Sequence, residues 1–198
     1  ARFHLVIQGR CFIQVNSGKT IELTAGDLVL VPKGASHILA HKPMQHAPPL
    51  ETLLQDVGYT GKGVLAVGEG EASAATQMLC GHFTFRDGAE HPLLQALPDY
   101  IVVSAAIRVK QPMLDDTLRL ISRHVFSESA GSTASLTRLS EVVFIELLCS
   151  GVSLQPQSES ILKAFRDPQI GQALHLIHSK LSHQWSVESL ASEVAMSR

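Results

Sequence analysis

The chain is sparing with cysteine, with positive charge and with long apolar runs. Its 198 residues hold three cysteines, Cys11, Cys80 and Cys149. An odd, scattered set without paired spacing excludes a disulfide scaffold and fits a reducing compartment, so the cytoplasm is the expected location. No apolar run reaches the length of a transmembrane helix, so no membrane partner is expected. No secretory leader is legible, although Ala1-Arg2-Phe3 opens in the middle of strand-like text. Lys and Arg number 16 against 18 Asp and Glu, a net charge of −2. Charge by itself therefore makes no case for nucleic acid. Neither a G-x-S-x-G elbow nor a glycine-rich phosphate loop before a helix occurs. Glu69 with Glu71, and Asp115 with Asp116, read as solvated charges rather than an acid–base pair. No residue is assigned a catalytic role.

Hydrophobic residues make up 45% of the chain, enough for one or two ordinary cores. The first part is written in short strands. Phe3 to Gln8 is apolar and Gly9 turns it. Arg10 to Val15 places Cys11, Ile13 and Val15 on one face. Asn16-Ser17-Gly18 is a hairpin signal. Thr20 to Thr24 and Leu28 to Val31 follow, separated by Ala25-Gly26-Asp27 and closed by Pro32-Lys33-Gly34. Strands punctuated at this rate predict a sandwich or barrel. From His41 to Gly70 the text is irregular, with a His-bearing stretch and then a Gly-bearing one. Ala74 to Phe85 returns to strand.

Helical spacing takes over after Pro112, a first-turn proline. Leu114, Leu118, Ile121 and Val125 mark one face, and Leu136 to Leu148 a second, broader helix ending near Gly151. Val152 to Ser160 is polar and reads as a linker. Ser158 is placed to cap a helix through Phe165. Asp167 caps a helix that starts at Pro168, with a stripe of Ile170, Leu174, Ile177 and Leu181. Ser186 then caps another, with Glu188 in its first turn and Val187, Leu190, Ala191 and Val194 as its apolar side. Ala195 and Met196 break it, and Ser197 is placed to cap a further helix. A helix, a tight turn and a second capped helix outline a helix-turn-helix.

Three stretches carry a family resemblance. Gly26, Pro32, Gly34 and His37 are similar to the second cupin motif, with His41 where that motif has Asn. The first cupin motif is poorly matched: Arg2 occupies its Glu position, and His4 lies two residues on, on the same strand face. Phe3-His4-Leu5-Val6 with Gly9 and Cys11, and Cys80-Gly81-His82-Phe83 followed by His91-Pro92-Leu93-Leu94 and Ala96-Leu97-Pro98, resemble the cupin-like sensor subgroup of AraC-type regulators. Trp185, Ser186, Glu188, Leu190, Ala191, Met196 and Ser197 resemble the first helix-turn-helix of AraC/XylS-type transcription regulators. That resemblance implies a recognition helix beginning at Ser197 and Arg198, the expected DNA-contacting residues. It also implies a homodimer through the stripe Leu114, Leu118, Ile121 and Val125, the alternative being that the two helices simply cover the barrel's open face.

His4, His37, Cys80 and His82 can all face one barrel interior. Three imidazoles and a thiolate form a donor set suited to Zn²⁺, and a closed four-ligand site would be structural or sensory. The competing expectation is four separately hydrogen-bonded side chains, and Cys11 reads as a small buried hydrophobe.

The whole reads as an α+β chain. A cupin-like small β-barrel over residues 1–110 senses a small molecule or metal. A helical dimerisation segment covers 111–151, a linker 152–160, and the start of a helix-turn-helix domain 161–198. The expected function is a DNA-binding transcriptional regulator. The alternative is a metal-dependent cupin enzyme, a dioxygenase or isomerase with a helical tail.

Overall fold

The computed structural model describes residues 1–44, 46–61, 63–68, 75–84, 94–95, 97–125, 131–154 and 167–196. The chain divides into two compact units, residues 1–89 with 98–151, and residues 90–97 with 152–198. No helix of the described residues is long and apolar enough to cross a membrane.

The first unit is built on two antiparallel sheets. β1 (Arg2–Gln8), β4 (Leu28–Val31), β6 (Gln77–His82) and β7 (Ile101–Val103) form one, in the order β6-β1-β4-β7. β2 (Arg10–Val15), β3 (Ile21–Thr24) and β5 (His37–Ala40) form the other, in the order β3-β2-β5. The sheets do not close on one another. The expected barrel is therefore corrected to two open sheets with a shared core. Strand alternation explains that core. Val6, Val29 and Val31 of the first sheet meet Cys11, Ile13, Val15 and Leu23 of the second, and each is at most 5% exposed.

The helix Pro112–His124 lies by the other side of the four-stranded sheet, its Leu118, Arg119 and Arg123 lining one groove with Leu5 and Ile7 of β1. α1 (Leu50–Asp56) and α2 (Ala105–Arg108) are short. α3 (Pro112–His124) and α4 (Ser132–Leu154) are the two amphipathic helices foreseen from the spacing, the second running three residues past Gly151. Leu114, Leu118 and Ile121 are 0%, 0% and 3% exposed within the one chain. This stripe is thus core of the chain itself, and of the four residues expected at a dimer interface only Val125 is exposed. Long leucines with a strong one-sided pattern need an apolar partner, and a nearby sheet face supplies it without a second copy.

Asp115 also departs from expectation. It is buried, with Arg108 Nη1 at 3.0 Å and Arg119 Nε at 2.8 Å. A carboxylate among leucines is tolerable only when paired, and these two guanidiniums pair it. Asp116, one residue on, is exposed.

Gly81 shows why one strand position has no side chain. It lies opposite Phe3 in the β1–β6 register, and a Cβ there would run into the Phe3 ring, with Cζ at 2.6 Å. The Phe3 ring in turn lies 5.8 Å from that of Phe83, which lies 4.8 Å from Phe144 of α4. Three aromatic rings thereby fasten the edge of the sheet to the helix over it.

The second unit contains α5 (Pro168–Ser179) and α6 (Val187–Glu193). Asp167 caps α5 as expected, its carboxylate accepting from the backbone N–H groups of Gln169 at 2.8 Å and Ile170 at 3.1 Å. α5 ends at Ser179, so the foreseen stripe stops at Ile177 and Leu181 is 81% exposed. The helix foreseen over Ser158–Phe165 lies outside the described residues, as does most of the expected linker. Residues 152–154 of that linker are helical.

Candidate functional site

His4 sits mid-strand on β1, opposite Cys80 on β6 and Val29 on β4. Its side chain points into the space between the sheets and is 7% exposed. Nδ1 lies 3.1 Å from Cys80 Sγ, and Nε2 lies 2.9 Å from Nε2 of His37. His37 is on β5 of the facing sheet, and its Nδ1 lies 2.9 Å from the Ala35 carbonyl oxygen. The two imidazoles meet edge to face, with ring centroids 5.0 Å apart.

These contacts admit one neutral proton order. The Ala35 carbonyl can only accept, so His37 Nδ1–H donates to it. His37 Nε2 then accepts from His4 Nε2–H. His4 Nδ1 accepts from the Cys80 thiol. Both ring nitrogens of His4 and of His37 are satisfied without a net charge, which the buried His4 requires, while His37 is half-buried and Cys80 is exposed. Burial, then the neighbouring His37 and Arg2, push the His4 imidazole down to about 3. Burial pushes the Cys80 thiol up to about 11. Both shifts favour the uncharged forms that the hydrogen bonds need.

The expected zinc set is only partly assembled. His4, His37 and Cys80 come together, but Cys80 and His37 lie at opposite ring nitrogens of His4. A single ion cannot be bound by one nitrogen of His4 and still touch both neighbours at coordination distance. His82, two residues along β6 and opposite Arg2, is exposed and makes no hydrogen bond to the other three. Among the described residues no three His, Cys, Asp or Glu side chains form a group able to hold a metal ion. The donor set therefore does not fit a closed zinc centre as it stands. Cys11 is buried among the core valines, where burial pushes its thiol up to about 11.

The second unit presents a different kind of site. Ser186 and Ser189 form a reciprocal cap: Ser186 Oγ accepts from Ser189 N–H at 3.1 Å, and Ser186 N–H donates to Ser189 Oγ at 2.9 Å. The far end of α6 stops because Ala195 takes a left-handed conformation, φ 54°, which lets Met196 N–H reach back to Ala191 O at 2.8 Å. Gln169 of α5 fixes that turn, its amide donating to Val194 O at 2.8 Å and Ala195 O at 3.0 Å. Val194 is 4% exposed, whereas Val187, placed on the same stripe from the sequence, is 74% exposed. Trp185 lies 4.2 Å from the His183 ring and under Lys180 Nζ at 5.9 Å. Ser197 and Arg198 lie outside the described residues.

The sequence reading missed Gln169. Its signal is faint: a polar residue at the second position of a helix, 25 residues before the carbonyl it clamps. It also missed β5, the strand that carries His37 to the facing sheet.

A cupin family model matches residues 1–151. Over nearly the whole chain there are regulators of similar sequence. An HTH-type transcriptional regulator of Haemophilus influenzae is 25% identical over 198 residues, which covers 99% of this chain and 62% of that protein. The HTH-type transcriptional regulator AlkR of Acinetobacter baylyi is 26% identical, covering 98% and 64%. A putative AraC-like transcription regulator of Streptomyces antibioticus is 27% identical, covering 100% and 63%. The chain thus spans less than two thirds of the length of these relatives. No solved structure matches.

Proposed function

Since the chain belongs to the cupin family, we propose that it is the sensing part of an AraC-like transcriptional regulator, joined to the first half of a DNA-reading helix-turn-helix. The observation that carries this reading is the α5–turn–α6 pair. In this pair Gln169 of α5 clamps the turn that follows α6, and such a corner is the support on which a groove-reading helix rests. The relatives that match over nearly the whole of this chain bear the names of regulators, which supports the same reading.

The cupin unit is the sensor in this account. Its ligand binds better to one arrangement of the protein and so shifts how the helix-turn-helix is presented to DNA. The output is binding rather than turnover. The competing enzyme reading needs three ligands and an open metal position, and the Cys80–His4–His37 chain supplies neither. A homodimer accompanies this reading, because two half-sites need two readers. With Leu114, Leu118 and Ile121 buried in the chain, a second copy has to meet other residues, and Met113 and Leu120 on the outward side of α3 are 60% and 41% exposed.

The test is selection from a random pool of DNA duplexes by the complete gene product that contains this chain, with and without a chelator. Enrichment of one sequence is expected, and the chelator is expected to leave it unchanged. A pool that stays random removes the regulator reading. Enrichment abolished by the chelator would restore a metal to the sensor.

A further inference from the structure

Beside β1, the β3–β4 turn and α3 lies an open groove of about 500 Å³. This is within the size range of small-molecule sites. Strand alternation puts Leu5 and Ile7, which line it, on the side of β1 away from His4. We propose that this groove binds a small amphipathic anion, a carboxylate carried on an apolar body.

The wall is apolar in a way the fold alone does not need. Leu5 and Leu118 are buried, but Ile7 is 48% exposed along the groove. An aliphatic ligand would cover it. Around this wall stand three guanidiniums, Arg108, Arg119 and Arg123. The buried Asp115 faces two of them, and that ion pairing holds their planes in place. Arg123 has no ion pair among the described residues, and Arg108 Nε is buried without a hydrogen-bond partner among them. Asp27, beside Gly26, is turned to neutral donors and not paired with these guanidiniums. One of its oxygens accepts from Ala105 N–H at 2.9 Å, and the other accepts from Thr24 N–H at 2.8 Å and Thr24 Oγ1 at 2.9 Å. Gly26 keeps the turn close to this corner: its φ is +93°, and a Cβ there would meet Ala105 Cβ at 2.8 Å and Arg108 Nη2 at 3.5 Å.

The polarity of the lining decides the class of ligand. Guanidiniums only donate hydrogen bonds, and the Ser122 hydroxyl already donates to Leu118 O at 2.9 Å. A sugar or polyol would find few acceptors, and a cation would meet excess positive charge. A carboxylate would take two parallel N–H bonds from one guanidinium while its tail lies on Leu5, Ile7 and Leu118. An ion without an apolar body would leave that wall wet.

Octanoate is the probe, measured by isothermal titration against the protein without DNA, so the site is judged separately from the regulator reading. One octanoate is expected to bind per chain, with octanol about tenfold weaker or worse and octylammonium not bound. Arg123→Gln is expected to weaken octanoate about tenfold and leave octanol unchanged, with Arg123→Lys recovering part of the loss. Ile7→Glu is expected to abolish binding. Arg138→Gln, at an exposed arginine paired with Glu141 on α4, is expected to change nothing. Thermal unfolding of each variant reports whether the fold is intact. Equal octanoate affinity in Arg123→Gln, or no binding by the native protein at about millimolar concentration, overturns the proposal.

Discussion

Lowering the pH from 6.5 to 5 is expected to remove about 2 kcal/mol of stability from the cupin unit through His4 alone. The cause is the burial that pushes its imidazole from the ordinary 6.5 to about 3. Between those two values the unfolded chain takes up a proton that the folded chain refuses. The contribution is therefore complete above about pH 6.5 and is lost as the pH falls toward 3, at about 1.4 kcal/mol per pH unit. The neighbours leave no easy escape. Protonating His4 Nδ1 would oppose the Cys80 thiol proton and set a charge against His37 and Arg2. Urea unfolding from pH 8 to pH 5 measures the slope. His4→Gln, which cannot titrate, is expected to start less stable and to lose most of that slope. An equal slope in native protein and variant would mean that the imidazole is not buried neutral. At the alkaline end the raised Cys80 thiol acts in the opposite sense. Its contribution is present below about pH 9 and declines as the pH rises through about 11.

Leu114→Ala is expected to cost about 2–5 kcal/mol, the range for emptying a fully buried leucine site. The size follows from where α3 lies. Leu114 is 0% exposed, so truncation leaves a cavity rather than a smaller surface. The same experiment separates core from interface. If the stripe joined two copies, the loss would appear as weaker self-association and a stability that varies with protein concentration. A core residue instead lowers the unfolding midpoint by the same amount at every concentration.

These two residues show how far the sequence could be read. Period-two alternation located β2, where Cys11, Ile13 and Val15 share one face, whereas β1 and β4, buried on both faces, were marked by apolar runs bounded by turn residues. Helical spacing and caps located α3, α5 and α6. Asp167-Pro168 and Ser186 were sufficient because a cap works through neighbouring backbone N–H groups. The partners of a face were not legible. Leu114, Leu118 and Ile121 announce an apolar face, but whether a sheet or a second chain covers it depends on contacts distant in sequence. Asp115 looked solvated because its pairing with Arg108 depends on how α2 meets α3. His4, His37 and Cys80 were foreseen on one interior, and they do meet. Their order along a hydrogen-bonded chain, with His4 between the other two, is set by the gap between two sheets and the register of β1 with β6. That order, rather than the residue types, separates a proton chain from a metal centre. Ser197 and Arg198 stay an expectation drawn from the family resemblance.

The most direct test of the regulator account is operator affinity, measured by fluorescence anisotropy, for the complete gene product and its Val194→Asp variant. A carboxylate at the buried end of α6 disrupts the helix pair while the cupin unit, followed by its own unfolding midpoint, stays intact. The account predicts that the native protein prefers the selected operator over random duplex by about a thousandfold or more, and that the variant loses that preference. A variant that still discriminates as the native protein does would contradict the claim that these two helices belong to a DNA-reading element.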